Sequence, residues 1–148
     1  MKNKNKISRR KFIKNTAGAA ALFSIPTIIP ASAFGSNDKV QIAVLGVNGR
    51  GKDHIKGFQQ QENAQVVYLC DPDKNVLAER SAEFQKVYSK KVQVEQDMRK
   101  VFDEKKVDAV SIATPNHWHT LAAIWAMAAG KDVYVEKPLA TSIGEGRA

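Results

Sequence analysis

From Val40 onward the chain alternates short apolar runs with polar, helix-like segments, and this alternation limits the possible folds more than any other feature. The apolar runs are continuous, as expected of strands that a parallel sheet buries on both faces. Most of them stop at a glycine, a proline or an aspartate, and the connections between them are short. The pattern predicts an α/β fold, a doubly wound parallel sheet of the Rossmann type built from five strand–helix units.

The predicted strands cover residues 40–45, 65–70, 92–94, 109–112 and 132–136, and the predicted helices cover residues 52–61, 74–89, 98–105 and 118–129. Gly130 follows the last helix, where a positive φ costs least. Helical spacing predicts a buried face on the second helix and on the fourth. The two faces consist of Leu77, Ser81, Phe84, Val87 and Tyr88, and of Leu121, Ile124, Trp125 and Ala128.

The net charge of +8 is concentrated at the N-terminus. Residues 1–33 hold seven Lys and Arg residues and no acidic residue. The remainder therefore carries 16 basic and 15 acidic residues, a net charge of +1. A nearly neutral domain does not provide the basic surface that nucleic acids require, so we expect no nucleic-acid partner.

Cys70 is the single cysteine, which excludes an intrachain disulfide. It has no neighbouring cysteine or histidine at ligand spacing, so we expect no metal site. Its position at the end of an apolar run predicts a small buried strand residue.

Residues 1–33 have the order of an export signal: a basic stretch, a weakly apolar run and a small-residue cleavage site at residues 30–33. The stretch Ser-Arg-Arg-Lys-Phe-Ile-Lys at residues 8–14 resembles the twin-arginine motif. The resemblance implies export of a folded, cofactor-loaded protein to the periplasm by the twin-arginine machinery. After cleavage the protein would not be stably inserted in a membrane. Residues 34–39 would remain as a linker before the domain. A basic tail with an amphipathic helix, or an uncleaved anchor, is the alternative.

The turn after the first predicted strand is rich in glycine and lies directly before a helix, where dinucleotide-binding folds hold the pyrophosphate. Gly46 and Gly51 occupy the first and sixth positions of that fingerprint, and Asn48 takes the third, which is normally glycine. Asparagine tolerates unusual backbone angles, and Gly49 beside it can absorb strain. A merely tight turn is the alternative.

Asp71 ends the second predicted strand, 20 residues beyond Gly51. An acid at this distance accepts hydrogen bonds from the adenosine ribose and repels a 2′-phosphate, which favours NAD over NADP. No arginine directly follows Asp71 to reverse that preference. Asp71 also suits the position of a helix N-cap before Pro72.

The fourth and fifth turns read Ala-Thr-Pro-Asn-His-Trp-His at residues 113–119 and Val-Glu-Lys-Pro-Leu at residues 135–139. With these motifs, residues 40–148 resemble the glucose–fructose oxidoreductase / inositol dehydrogenase (Gfo/Idh/MocA) family. The resemblance implies that the first turn holds the NAD pyrophosphate and that Asp71 binds the ribose. It also implies that residues of the fourth turn and of the fifth turn line the nicotinamide side. Lys137 of the fifth turn would reach the reacting carbinol as the catalytic residue. The implied cofactor residues are Gly46, Val47, Asn48, Gly49, Arg50, Gly51, Asp71, Thr114, Pro115, Asn116, His119, Glu136 and Lys137.

By this resemblance, residues 40–148 form an NAD-binding domain that stops before the family's second α/β domain, which supplies the other catalytic residue. The implied activity is NAD-dependent oxidation of a sugar, polyol or inositol, by a homo-oligomer when full length. Related NAD-dependent glycosidases are an alternative, although they tend to lack the lysine that stands here as Lys137. A third possibility for the chain is a nucleotide-binding remnant without catalytic activity. For Lys137 alone, the alternative is an ordinary lysine on the protein surface.

Overall fold

The computed structural model describes residues 39–147. The predicted export signal, and all of the predicted linker except Lys39, lie outside the described residues. Five strands form one sheet: β1 Val40–Leu45, β2 Ala64–Cys70, β3 Gln93–Glu95, β4 Ala109–Ile112 and β5 Asp132–Val135. The helices are α1 Gly51–Gln59, α2 Lys74–Tyr88, α3 Met98–Asp103 and α4 His119–Ala128. Short 3₁₀ turns occupy Asn116–Trp118 and Glu145–Arg147.

All strands of the sheet pair in parallel, in the order β3-β2-β1-β4-β5. The chain runs outward from β1 through β2 to β3 and then returns to β4 on the other side of β1. This reversal places a crevice at the carboxyl ends of β1 and β4, which is where doubly wound folds bind ligands. The predicted fold class is therefore confirmed.

Alternate residues of β1 serve two hydrophobic clusters on opposite faces of the sheet. Ile42 and Val44 belong to the cluster that includes residues of α1 and α2. Ala43 and Leu45 belong to the cluster that includes residues of α3 and α4. Helices therefore cover both faces, which explains why the strands are apolar without interruption.

The helix ends follow from their local sequence. Asp73 caps α2 by accepting from the backbone N–H groups of Asn75 and Val76. Asp97 caps α3 through Arg99 N–H. Gly130 has a φ of 74° after α4, as its position predicted.

Two predicted helix faces need correction. On α2, Leu77 and Phe84 are buried as predicted, but Val87 is 62% exposed. On α4, Leu121 and Ala128 are exposed, and the buried side chains are those of His119, Ala122, Ala123 and Ala126. Small side chains allow α4 to pack closely on the sheet, and the larger ones then lie at the edge of the contact.

Cys70 is buried, as predicted, and burial raises the pKa of its thiol to about 12, with smaller contributions from Glu95 and Asp71. A thiol in this environment is unreactive. Within residues 39–147, no helix has the length and apolar character needed to cross a membrane. In the same range, no three His, Cys, Asp or Glu side chains are grouped as metal ligands.

Candidate functional site

The first turn is held by close backbone packing that leaves no room for side chains at two positions. Gly46 has a φ of 79°, and a Cβ there would lie 2.7 Å from the carbonyl oxygen of Ala113. At Gly51 a Cβ would lie 2.0 Å from the carbonyl oxygen of Gly46. Both positions therefore require glycine, and they are the two that match the dinucleotide fingerprint.

The middle of the first turn differs from the sequence prediction. Neither Asn48 nor Gly49 has a positive φ, so the turn does not depend on the conformational tolerance of asparagine. A Cβ at Gly49 would meet nothing within 4 Å. Asn48 is exposed and lines the cleft described below, which means that its side chain adds a polar amide instead of straining the backbone.

Asp71 lies under the first turn and supports it. It is 9% exposed, its Oδ2 accepts from Val47 N–H at 3.0 Å, and its Oδ1 accepts from Asp73 N–H at 3.1 Å. Val47 is itself fully buried, so it contributes packing and this backbone contact. The N-cap of α2 is Asp73, so the alternative role of Asp71 as a helix cap is wrong.

A cleft of about 1050 Å³ opens at the carboxyl ends of β1, β2 and β4. It brings together the first turn, Asp71 and the fourth turn, as the sequence predicted. Its lining residues are Gly46, Asn48, Gly49, Asp71, Pro72, Gln96, Asp97, Met98, Arg99, Ala113, Thr114, Pro115, Trp118 and Trp125.

Sequence reasoning missed the contribution of residues 96–99, which follow β3 and line the cleft beside Asp71. Arg99 donates from Nε to Asp97 Oδ1 at 2.9 Å and from Nη2 to Asp97 Oδ2 at 2.6 Å. This pairing lowers the pKa of the Asp97 carboxyl to about 2. The available signal was position alone, because any turn after a parallel strand can reach the cleft.

The cleft fits a dinucleotide by three independent observations. Gly46 and Gly49 of the first turn line the cleft, and α1 begins after them without a side-chain cap that would compete for its N–H groups. Asp71 presents a carboxylate to the cleft. Thr114 also lines the cleft, and its hydroxyl is buried without a hydrogen-bond partner within the described residues. A buried hydroxyl of this kind favours a ligand that can bond to it.

His119 is 1% exposed and is not among the residues that line the cleft. Its Nδ1 lies 2.7 Å from the carbonyl oxygen of Pro138, and its Nε2 lies 2.8 Å from that of Thr114. The structure therefore places it between the fourth and fifth turns. Of its neighbours, Pro115 lines the cleft, whereas Asn116 is exposed at the start of the 3₁₀ turn.

Glu136 follows β5 and faces α1, outside the lining of the cleft. Its Oε1 accepts from His54 Nε2 at 2.8 Å and from Arg50 Nε at 3.1 Å. These contacts lower the pKa of the Glu136 carboxyl to about 2, and the hydrogen bond from His54 makes the largest contribution. Arg50, predicted to hold pyrophosphate, thus directs its guanidinium to Glu136 and to Asp53.

Lys137 is exposed, and the peptide bond between Lys137 and Pro138 is cis. Its neighbours on both sides are fixed: Glu136 by α1, and the carbonyl oxygen of Pro138 by His119. The hydroxyl of Thr120 adds a hydrogen bond to the carbonyl oxygen of Leu139 at 2.8 Å. The fifth turn therefore presents an ammonium group from a backbone that is anchored beside the fourth turn.

Comparison with known proteins identifies the class that this fold and cleft define. The model of the oxidoreductase family with an NAD-binding Rossmann fold, GFO_IDH_MocA, matches residues 40–148. The chain belongs to this family, and its cofactor is NAD, as predicted.

Among curated relatives, a glycosyl hydrolase family 109 protein of Shewanella pealeana is 32% identical over 95% of this chain and 35% of its own length. Among solved structures, the WlbA dehydrogenase of Bordetella pertussis, in complex with NADH and UDP-GlcNAcA, has a TM-score of 0.66 and 26% identity over 74% of this chain and 32% of its own. The myo-inositol 2-dehydrogenase of Lactobacillus plantarum has a TM-score of 0.62 and 26% identity over 72% of this chain and 30% of its own. The chain thus spans about a third of the length of these relatives.

Proposed function

We propose that this chain is the cofactor-binding portion of an NAD-dependent oxidoreductase that removes hydride from a secondary alcohol of a sugar, polyol or inositol. The observation that carries the proposal is the anchored fifth turn, which presents the exposed Lys137 while His119 ties that turn to the cleft-lining fourth turn. Lys137 is not among the residues that line the cleft, and it differs from an ordinary surface lysine because both of its neighbours are held by side chains of other elements.

Bound NAD would supply the hydride acceptor, and the chain would supply binding and charge stabilisation. The first turn and the start of α1 would hold the pyrophosphate, and Asp71 would accept from the ribose hydroxyls. The hydroxyl of Thr114 would bond to the nicotinamide end. The ammonium of Lys137 would stabilise the negative charge that develops on the alcohol oxygen as its proton leaves.

A second candidate is an NAD-dependent glycosidase, which oxidises its sugar transiently, eliminates the aglycone and returns the hydride. The similarity to a glycosyl hydrolase family 109 protein over 95% of the chain favours it. Lys137 favours the dehydrogenase, because glycosidases of this family tend to lack that lysine. Both candidates share the cofactor cleft and differ in the fate of the hydride.

The test is turnover of the full-length enzyme. We expect sugars or polyols to produce NADH in proportion to the alcohol consumed. Aryl-glycoside cleavage without accumulation of NADH would contradict the dehydrogenase and support the glycosidase. Lys137→Ala should lower kcat by about two to four orders of magnitude, the usual scale for a positioned charge-stabilising group, while NAD affinity stays within about threefold. Lys90→Ala, at another exposed lysine, is the matched control and should leave kcat unchanged.

We also propose that the protein reaches the periplasm through the twin-arginine pathway and works there as a homo-oligomer. The support for export is the Arg9-Arg10 pair followed by a weakly apolar run. Residues 1–33 fused to a folded reporter should carry it across the inner membrane, and replacing both arginines by lysine should stop transport. Export that survives the double replacement would indicate a general secretory signal.

A further inference from the structure

Outside the cleft, three polar side chains from different elements form a continuous hydrogen-bonded chain. Ser111 Oγ of β4 lies 2.7 Å from His54 Nδ1 of α1, and His54 Nε2 lies 2.8 Å from Glu136 Oε1. Ser111 is 0% exposed and His54 is 8% exposed. A buried polar chain is stabilising only when every member is satisfied, so its hydrogen-bond directions can be assigned.

The ionised Glu136 carboxylate only accepts, so His54 Nε2 carries the hydrogen and donates to it. With the hydrogen on Nε2, Nδ1 can accept from the Ser111 hydroxyl, and each polar atom then has its partner. The rings of Tyr134 and Phe58 pack edge-on against the imidazole, with centroids 5.4 Å and 6.5 Å from its own.

The order serine, histidine, acid also occurs in nucleophilic hydrolases, but this chain cannot act in that way. A nucleophilic serine must reach substrate, whereas Ser111 lies in the middle of the sheet with no exposed surface. Exposure increases from Ser111 through His54 to Glu136, so Glu136 is the outermost member, and it adjoins Lys137. The chain therefore acts on the fifth turn.

Both residues that hold Glu136 come from the start of α1. Arg50 and His54 are four positions apart, which places them on the same face of the helix. The same helix begins at Gly51, where the dinucleotide turn ends. The helix that begins where the dinucleotide turn ends thus also fixes the residue before Lys137.

We propose that His54 is a positioning residue for the reaction: through Glu136 it orients Lys137 toward the bound nicotinamide and its substrate. The inference rests on the proposed function of Lys137. It assigns a role to a histidine that neither touches the cleft nor reaches substrate.

The test compares His54→Leu with His54→Gln in the full-length enzyme. Glutamine can donate to Glu136 and accept from Ser111, whereas leucine can do neither. We expect His54→Leu to lower kcat about 10- to 100-fold, the cost of misplacing a catalytic group by about 1 Å, with KM and NAD affinity within about threefold. His54→Gln should recover to within about fivefold of wild type. His117→Leu, at an exposed histidine, is the control.

A second measurement does not depend on turnover. In the 148-residue chain, exchange of the Glu136 amide hydrogen, which is bonded to the carbonyl oxygen of Ile112 at 3.0 Å, should accelerate about tenfold or more in His54→Leu and in Glu136→Gln, but not in Glu62→Gln at an exposed control position. Because His54 acts through Glu136, the double variant should be no worse than the more damaging single one.

Additive effects on kcat, or an undisturbed fifth turn in both variants, would overturn the inference. If His54→Leu fails to fold, the Glu136→Gln and Ser111→Ala variants provide the same comparison from the two ends of the chain. Failure of the proposed function gives a different result: Lys137→Ala would then keep full turnover, while exchange of the Glu136 amide hydrogen would still respond to His54.

Discussion

The first and fifth turns lie at the same edge of the sheet but are fixed in different ways. The first turn is fixed by backbone contact, since a Cβ at Gly46 or Gly51 would overlap other main-chain atoms. The fifth turn is fixed by side chains from distant elements, because His54 binds Glu136 and His119 binds the carbonyl oxygen of Pro138. One turn therefore depends on the absence of side chains and the other on their presence.

The sharpest way to break the first turn is Gly51→Ala. The new methyl group would lie 2.0 Å from the carbonyl oxygen of Gly46, a main-chain atom that cannot rotate away as a flexible side chain could. We expect the free energy of unfolding to fall by about 3 kcal/mol or more, and NAD affinity to fall at least about 100-fold. Urea denaturation and calorimetric titration of NAD measure the two effects.

Gly49→Ala is the matched control in the same turn, because its methyl group would meet nothing within 4 Å. Its free energy of unfolding should stay within about 1 kcal/mol of wild type. Equal losses in the two variants would show that the turn is sensitive to any side chain, and would refute the assignment of close contact to Gly51.

The second largest effect is expected from His119→Leu, which removes the link between the fourth and fifth turns. The ring nitrogens of His119 lie 2.7 Å and 2.8 Å from the carbonyl oxygens of Pro138 and Thr114, and with His119 only 1% exposed the leucine would leave a carbonyl oxygen at this site without its ring N–H donor. We expect the free energy of unfolding to fall by about 2–4 kcal/mol. His117→Leu, two positions earlier and exposed, should change it by no more than about 0.5 kcal/mol. Similar values for both histidines would contradict the linking role.

This difference explains which parts of the structure were predictable. The sheet, its crevice and the two essential glycines follow from local patterns, because strand burial and tight turns restrict the residue types at fixed spacing. The position of Asp71 at the cleft was predictable for the same reason, because it lies at a fixed distance from the first turn in the sequence. Its support of Val47 N–H was not, because that contact depends on how two strands end side by side.

The fifth turn shows what local patterns omit. The resemblance implies that Glu136 and His119 lie on the nicotinamide side, but it does not indicate what holds them, which is His54 of α1 for Glu136 and backbone carbonyl groups for His119. His54, 82 positions from Glu136, carries no motif that would connect the two. The buried alanines of α4 were missed because helical spacing marks the large apolar side chains, while close packing selects small ones.

A smaller effect is expected at the residues beside Asp71, where the selection of NAD over NADP can be tested. Arg99 and Asp97 both line the cleft, and the Asp97 carboxylate neutralises the Arg99 guanidinium. Without that carboxylate, Arg99 would present an unpaired positive charge beside Asp71. In Asp97→Asn, we expect the affinity for NADP relative to NAD to rise about three- to tenfold, because Arg99 becomes available to a 2′-phosphate. Asparagine is as good a helix cap as aspartate, so α3 should keep its start.

The double variant Asp97→Asn with Arg99→Ala should return the ratio to the wild-type value. Calorimetric titration of both cofactors measures it. An unchanged ratio in Asp97→Asn would leave Asp71 as the single determinant of the preference within this part of the cleft.

The smallest effect concerns pH and sharpens the account of the fifth turn. The pKa of Glu136 is lowered from its ordinary value of 4.5 to about 2, first by the hydrogen bond from His54 and then by that from Arg50. A carboxyl whose pKa is lower in the folded state stabilises that state above its unfolded pKa. This contribution is therefore complete above about pH 4.5 and is lost as the pH falls toward 2. The difference in unfolding free energy between wild type and Glu136→Gln should be constant above pH 5 and shrink between pH 4.5 and 2.

Titration of the Glu136 carboxyl by NMR should further show that His54→Leu raises its pKa more than Arg50→Met does, since His54 makes the larger contribution. The reverse order would make the exposed Arg50, instead of the buried histidine, the residue that holds the fifth turn.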